Sequence, residues 1–297
     1  MRNLSAILTV VVAIIGLWYL GSFLMNRAWV MDQAARAGTT PTLVQQIEGT
    51  MDQKRAKLPA PHQIAQDLYK NTFEKNITSK RSLVYHGFIT FRSTMVGFAI
   101  GIVFGVGLAV LIVLSRVAEL SFMPWAIISQ TIPVVALAPM IVVLSSAIGF
   151  SSLIVPKAII AAYLSFFPVL VSMVKGLRTP NPMQLDLLRT YGGTKAQVFW
   201  KLRLPASLPY FFASLKISIA AALVGTIVGE LPTGAIAGLG ARMLIGSQFG
   251  QPMIMWSALF AAAILAAGLI WMVAGVEAVA RRMMGGARYE TTRTHPF

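Results

Sequence analysis

Cysteine is absent from the 297 residues of this chain, which excludes disulfides, thiolate metal sites and cysteine nucleophiles. Charge is scarce too: Asp, Glu, Lys and Arg make up 12% of the residues, where soluble proteins carry about 25%. With 56% hydrophobic residues and a mean hydropathy of +0.71, the long charge-free runs are better solvated by lipid than by a self-built core. A water-soluble globule is thereby excluded, and the chain reads as an all-α integral membrane protein. Acidic residues are the rarer charges, 10 against 25 Lys and Arg, for a net charge of +15. Such an excess can mark a nucleic-acid binder, but these bases are not gathered on an aromatic-interleaved soluble domain, so no nucleic-acid partner is expected. Histidine occurs only at His62, His86 and His295. These are too scattered for a metal cluster, and each reads as an ordinary loop residue.

A helix needs about 20 apolar residues to cross the hydrocarbon, because every backbone amide must find its partner within the segment. Six stretches qualify. The first, Leu4 to Met25, reads as an anchor; it is long for a cleaved signal peptide and no small-x-small site follows it. Ser93 to Ser115 is the second. The run from Leu120 to Pro156 is too long for one helix, so it holds a third span and a turn, marked by Ser145, Ser146, Gly149, Ser151 and Ser152. The remaining spans are expected near Pro156 to Val174, Tyr210 to Leu231 and Met253 to Val276. The chain thus divides into an N-terminal span over 1–25, an extracytoplasmic or interfacial segment over 26–85, a five-span core over 86–284 with a loop at 176–208, and a tail over 285–297.

Lys and Arg gather on the cytoplasmic side of short connections. With the N-terminus inside, the inner segments hold twelve of them: Arg2, Arg116, Lys175, Arg178, Arg189, Lys195, Lys201, Arg203, Arg281, Arg282, Arg288 and Arg293. The outer ones hold two, Lys157 and Arg242. Both termini are therefore expected in the cytoplasm. The stretch Asn26 to Tyr85, with nine basic and five acidic residues, falls outside at a length where the bias weakens. Within it, Ile64, Ala65, Leu68 and Tyr69 follow the break at Leu58-Pro59-Ala60-Pro61 at helical spacing. They predict a helix that lies either on lipid or on the protein itself.

Within the spans, Gly97, Gly101, Gly105 and Ala109 recur every four residues, a small-residue face that lets another helix approach closely, most simply one of the same chain. Pro124, Pro133 and Pro139 surround Gln130 and Thr131. Prolines free carbonyls that are tolerated only against protein or a watery cavity, so Gln130, Thr131 and Ser145 are candidates for the substrate path. Glu230 ends the charge-free run of the fifth span. It is either a functional acid at membrane depth or already at the outer headgroups, and it joins the candidates on the first reading.

The loop from Gly176 to Leu208 is polar, basic and patterned. Asn181, Pro182 and Gln184 form the start signature of a short helix. Gly192-Gly193 ends it, and Thr194 to Gln197 opens a second with Val198, Phe199 and Leu202 on one side. Leu204-Pro205 is expected to stop that helix. Such a hairpin is suited to being held by another protein or to resting on lipid headgroups.

Asp186-Leu187-Leu188, three residues, Gly192, nine residues and Leu202-Arg203-Leu204-Pro205 resemble the EAA loop of ABC importer permeases, patterned EAA, three residues, G, nine residues, I-x-L-P. Every interval matches; Asp stands for Glu, Leu187 and Leu188 for two Ala, and Leu202 for Ile. Over about Leu58 to Met284, Leu58-Pro59-Ala60-Pro61, Phe91-Arg92-Ser93, Gln130-Thr131-Ile132-Pro133, Gly149-Phe150 and Gly238-Leu239-Gly240 are similar to the nitrate, sulfonate, taurine and pyrimidine-precursor permeases. Asn26 to Lys57 has no counterpart in that pattern.

The resemblance implies six transmembrane helices with a cytoplasmic coupling hairpin, the type I importer fold. It also implies a place in a bacterial inner membrane, two cytoplasmic ABC ATPase subunits, a second permease subunit and an extracytoplasmic solute-binding protein; on symmetry grounds the two permease copies are expected to form a homodimer. Asp186, Leu187, Leu188, Gly192, Leu202, Leu204 and Pro205 would couple the spans to the ATPase. No G-x-x-x-x-G-K-[ST] loop occurs, so ATP and Mg are expected on the partner and no cofactor on this chain. The substrate class implied is a small organic anion or a small heterocycle. The alternative, a carrier driven by an ion gradient, would show inverted repeats and embedded ionisable pairs; no repeat and no partner for Glu230 are evident. An intramembrane enzyme would need a catalytic pairing that the sequence does not offer.

Overall fold

The computed structural model describes residues 2–53, 55–150, 152–232, 234 and 237–283. Ser151 and the tail 285–297, with Arg288, Arg293 and His295, lie outside the described residues. Twelve α-helices and no strand occur among those described. The chain forms two compact units, Met1–Met95 with Val134–Ile160 and Gly225–Leu265, and Val96–Pro133 with Ala161–Val224 and Ala266–Phe297.

The first unit begins with α1 (Arg2–Arg36), which continues past the expected end at Met25. No Gly or Pro occurs between Asn26 and Arg36, and Asn26 gives the extension a reason to stay ordered. That side chain is buried and bridges Lys57 N–H and Leu58 C=O, both at 2.9 Å. Trp18 adds an indole hydrogen bond to Pro59 C=O at 3.1 Å and packs on Trp256 and Phe260. Helix α2 (Leu43–Met51) opens on a Thr42–Gln45 capping box. Helix α3 (Pro61–Tyr69) carries proline at its first position and widens into a π turn over Lys70–Glu74.

The expected helix after the proline break is thus present, and one face lies on the protein. Ile64 is buried, Leu68 packs on the cluster of Leu83, Leu239 and Ala258, and Ser257 donates to Asp67 at 2.6 Å. Tyr69 and Phe73 face outward. His62 and His86 were expected in loops, but both sit on helices. His62 stacks on Tyr19, and His86 is buried in the second turn of the next helix.

That helix, α4 (Leu83–Leu114), starts ten residues ahead of the span read from hydropathy. The reason is a buried polar row, Ser82, His86, Thr90 and Thr94, one turn apart. Hydropathy scores these residues against a membrane helix, whereas their hydrogen bonds make them compatible with one.

In the second unit α5 (Arg116–Ser129) follows. The long run after it breaks at 130–133, and α6 (Val134–Ala147) follows in the first unit. Pro133 has no N–H to continue the ladder, and its ring disfavours the helical conformation at Ile132. A second turn at 148–153, in the Ser/Gly-rich segment, leads to α7 (Ile154–Leu177). The chain therefore turns twice where one turn was expected.

Helices α8 (Pro182–Thr190) and α9 (Lys195–Val198) form the loop, and a π turn over Phe199–Arg203 leads directly into α10 (Leu204–Glu230). Leu204-Pro205 does not stop the helix as expected. The i→i+5 bonding ahead of Pro205 lets the chain pass a residue that cannot donate. Two more helices, α11 (Leu239–Gln248) and α12 (Pro252–Met283), complete the order. Helices α1, α4, α7, α9–α10 and α12 are long and apolar enough to cross a membrane, and the bent pair α5–α6 makes a sixth if its arms form one span.

The small-residue row of α4 meets α7 inside the second unit. A Cβ at Gly105 would lie 2.7 Å from Phe166 C=O and 3.0 Å from Val169 Cβ; one at Gly101 would lie 3.1 Å from Ser165 Cβ. Ala109 is buried among Ile112, Phe166, Val169, Leu170 and Met173. The row therefore serves packing within the chain. Gly105→Leu should destabilise the purified protein by about 1–3 kcal/mol or more, through overpacking against backbone. Gly107→Leu, two residues along where a Cβ meets nothing within 4 Å, should leave it unchanged. Thermal loss of monodisperse protein in gel filtration reads the difference; equal losses would remove the packing role.

Candidate functional site

The hairpin lies within the second unit, and its two ends meet at a tight contact. A Cβ at Gly176 would lie 2.9 Å from Tyr210 Cβ and 3.0 Å from Ser207 Cα, so the end of α7 rests on the start of α10. Glu119 of α5 adds a tie that the sequence did not single out. Its carboxylate takes Arg116 at 2.8 Å and Arg178 at 3.0 Å, the latter at the last turn before the hairpin.

Between those ends the fold is dictated locally. Asn181 Oδ1 accepts from Met183 N–H at 3.0 Å, and Gln184 Oε1 accepts from Asn181 N–H at 3.2 Å. Thr194 and Gln197 repeat the exchange for α9, at 2.9 and 3.3 Å. Gly192 adopts φ +73, the left-handed region that ends helices. Its neighbour Gly193 is held as tightly for another reason: a Cβ there would sit 2.7 Å from Leu188 C=O. The doubled glycine was the available signal for that second constraint.

Asp186 is the fifth residue of α8, past the first turn where a helix dipole favours a carboxylate. It pairs instead with Arg189 at 3.2 Å, both side chains well exposed. The stripe of the second helix turns inward rather than out, with Phe199 packed on the Ile112–Phe166 cluster and Leu202 and Leu204 half-buried. The outward apolar surface is on α8. Met183, Leu187 and Tyr191 are 80%, 58% and 82% exposed at i, i+4 and i+8. Leu188 is half-buried and Pro205 exposed.

Of the path candidates, Gln130 and Thr131 sit together at the α5–α6 break, half-buried and exposed respectively. Thr131 donates to Ile128 C=O at 2.8 Å, and Tyr163 OH of α7 anchors the same turn by donating to Ser129 C=O. Ser145 is buried and donates to Ile141 C=O of its own helix at 2.6 Å.

Glu230 has the partner that the sequence did not reveal. In the first unit it is fully enclosed and pairs with Lys157 of α7 at 3.5 Å. Thr90 OH donates to one carboxylate oxygen at 2.9 Å and Gly240 N–H to the other at 2.7 Å. The Gly238-Leu239-Gly240 segment is wrapped around this carboxylate. A Cβ at Gly238 would fall on the carboxylate itself, and one at Gly240 would lie 2.5 Å from Ile227 C=O. Leu239 N–H donates to Thr90 Oγ1 at 2.9 Å. Gly238 N–H donates to His86 Nδ1 at 3.0 Å, which places the imidazole proton on Nε2, facing Lys80 C=O at 3.0 Å. A buried pair with its hydrogen bonds filled in this way is a clamp on the backbone. The glycines flanking Leu239, soon after an isolated acid, were its sequence signal.

Residues 101–285, well over half the chain, match the family model described as binding-protein-dependent transport system inner membrane component. The chain is 34% identical over 201 residues to the formylaminopyrimidine transport permease protein of Halalkalibacterium halodurans, covering 66% of this chain and 73% of that protein. It is 24% identical over 203 residues to the nitrate import permease protein of Synechocystis sp., covering 67% and 70%. Among solved structures it is similar to a chain of the MetNI methionine ABC transporter in an inward-facing conformation. That likeness has a TM-score of 0.54 and 21% identity, covering 66% of this chain and 95% of that one, and concerns the fold. All-α, with apolar spans and a capped hairpin ahead of the fifth, the fold is that of a type I ABC importer permease. The chain belongs to the binding-protein-dependent inner membrane components, the multi-pass permease subunits of ABC importers.

Proposed function

We propose that the hairpin from Asp186 to Pro205 is the handle by which a cytoplasmic ATPase subunit drives this permease between inward-open and outward-open states. Two such subunits, carrying ATP and Mg, act on two copies of this chain, and an extracytoplasmic solute-binding protein delivers the substrate. Both termini then lie in the cytoplasm. The observation that carries the reading is the row Met183, Leu187 and Tyr191, apolar side chains left in the open on a helix capped at its start and closed by Gly192. Exposed apolar anchors on a rigid element are what a protein groove takes up. Exposed pairs such as Asp186–Arg189 contribute little on their own, so this carboxylate is available to a basic residue of the partner.

The substrate is a small organic anion or a small heterocycle. Of the relatives, one is named for an anion, nitrate, and one for a heterocycle, formylaminopyrimidine. Gln130 and Thr131 at the break are the polar residues assigned to the path; Ser145 and Glu230 are buried and already hydrogen-bonded. The Lys157–Glu230 pair resembles the embedded pairs of gradient-driven carriers, but membership in an ABC importer family favours an ATPase as the energy source.

Leu187→Asp with Tyr191→Asp should lower ATPase recovered with tagged permease by about tenfold or more, since buried interface anchors contribute about 2 kcal/mol each. Permease in the membrane should be unchanged. Undiminished ATPase recovery would overturn the reading.

A further inference from the structure

We propose that the first unit carries a binding site for one anionic phospholipid, with an acyl chain in an apolar groove and its phosphate at Lys80 and Arg81. The groove has a volume of about 650 Å³ and lies between α3 with its π turn, the first turns of α4, and α12. Leu68, Phe73, Phe88, Phe91, Ile264 and Leu265 form its walls. Lipid-facing helices ordinarily present a convex surface. This one is concave because the helix at 61–74 is held against the spans by Leu68 and the Ser257–Asp67 bond. Gly87 keeps the floor open: it lines the groove, and a Cβ there meets nothing within 4 Å.

The connection 75–82 joins two walls of this groove, running from the π turn to the start of α4. It carries Lys80 and Arg81, both exposed, and neither forms an ion pair among the described residues. The His86 ring bonds the Lys80 carbonyl at 3.0 Å, which fastens this loop to the residue next to Gly87. Two unneutralised cations on the loop that joins two walls of an apolar slot match a phosphate joined to a fatty chain. A zwitterionic lipid would fill the slot without satisfying the charge, and a second copy of this chain would have to bring an acidic group to it.

The test is native mass spectrometry of the detergent-purified transporter with phosphatidylglycerol or phosphatidylcholine added. Wild type should retain one phosphatidylglycerol per copy of this chain, with a preference of about tenfold or more over phosphatidylcholine, as two cations at headgroup level provide. Gly87→Phe, which fills the slot without backbone strain, should lose both lipids. Lys80→Gln with Arg81→Gln, surface changes that leave the fold alone, should keep a lipid but lose the preference. Wild-type retention by Gly87→Phe, or an unchanged preference in the double variant, would overturn the proposal. So would a Gly87→Phe protein that keeps its lipid and loses its second copy, which would assign the groove to copy–copy contact.

Discussion

Glu230→Ala should be among the most damaging single substitutions in this chain, costing about 3–5 kcal/mol, because it strands the Lys157 ammonium with no counter-charge. Lys157 is 3% exposed, so water cannot replace the lost carboxylate. The Thr90 hydroxyl and Gly240 N–H lose their acceptor in the same step, and each buried unsatisfied donor adds to the cost. Glu230→Gln keeps an acceptor for one of those donors, sets an NH2 group against the other and removes the charge, so it should fall between wild type and Ala. The double change Glu230→Leu with Lys157→Met should recover part of the loss, since an apolar pair of similar volume replaces both ions. Heating the purified protein and following monodisperse material in gel filtration gives the order wild type, double variant, Glu230→Ala. A double variant no better than Glu230→Ala would show that the carboxylate acts on the Gly238–Gly240 backbone alone, and wild-type behaviour of Glu230→Ala would remove the clamp.

Gly192→Val should abolish uptake while the protein remains in the membrane at normal level. Space is not the obstacle, since a Cβ at Gly192 meets nothing within 4 Å. The obstacle is the backbone: at φ +73 a side chain costs about 1–2 kcal/mol, and more when β-branched. The hairpin relieves the strain by changing the angle between α8 and α9, which moves Met183, Leu187 and Tyr191 away from the position at which a partner would take them. Asparagine tolerates the left-handed region, so Gly192→Asn should retain much of the uptake that Gly192→Val loses. Uptake measured beside ATP hydrolysis in membrane vesicles separates uncoupling from loss of the complex. Normal uptake by the valine variant would defeat the coupling role.

How much was legible depended on how far apart the interacting groups lie in the chain. The two capping boxes, at Asn181–Gln184 and Thr194–Gln197, close over three residues, and both form as the sequence implies. The apolar runs behave likewise, because a helix satisfies its own backbone whatever surrounds it. Errors arose where a neighbour altered the rule. Pro205 should have ended a helix, but a π turn carries the chain past it. His86, Thr90 and Thr94 should have delayed α4, but their partners Thr226, Glu230, Gly238 and Lys80 make the early turns acceptable in a buried setting.

The sequence by itself determined that this chain is a bundle of apolar helices with a capped, glycine-closed hairpin before the fifth span, since each of those features depends on groups within about one helical turn of each other. Only the tertiary structure decided that Glu230 meets Lys157, that Gly238 and Gly240 fold around the carboxylate, and that α3 encloses a slot beside α4. Those contacts join residues far apart in the chain, and in lipid their stability rests on close packing and on finding a partner for every buried polar group. Neither condition has a period or a local signature in a sequence.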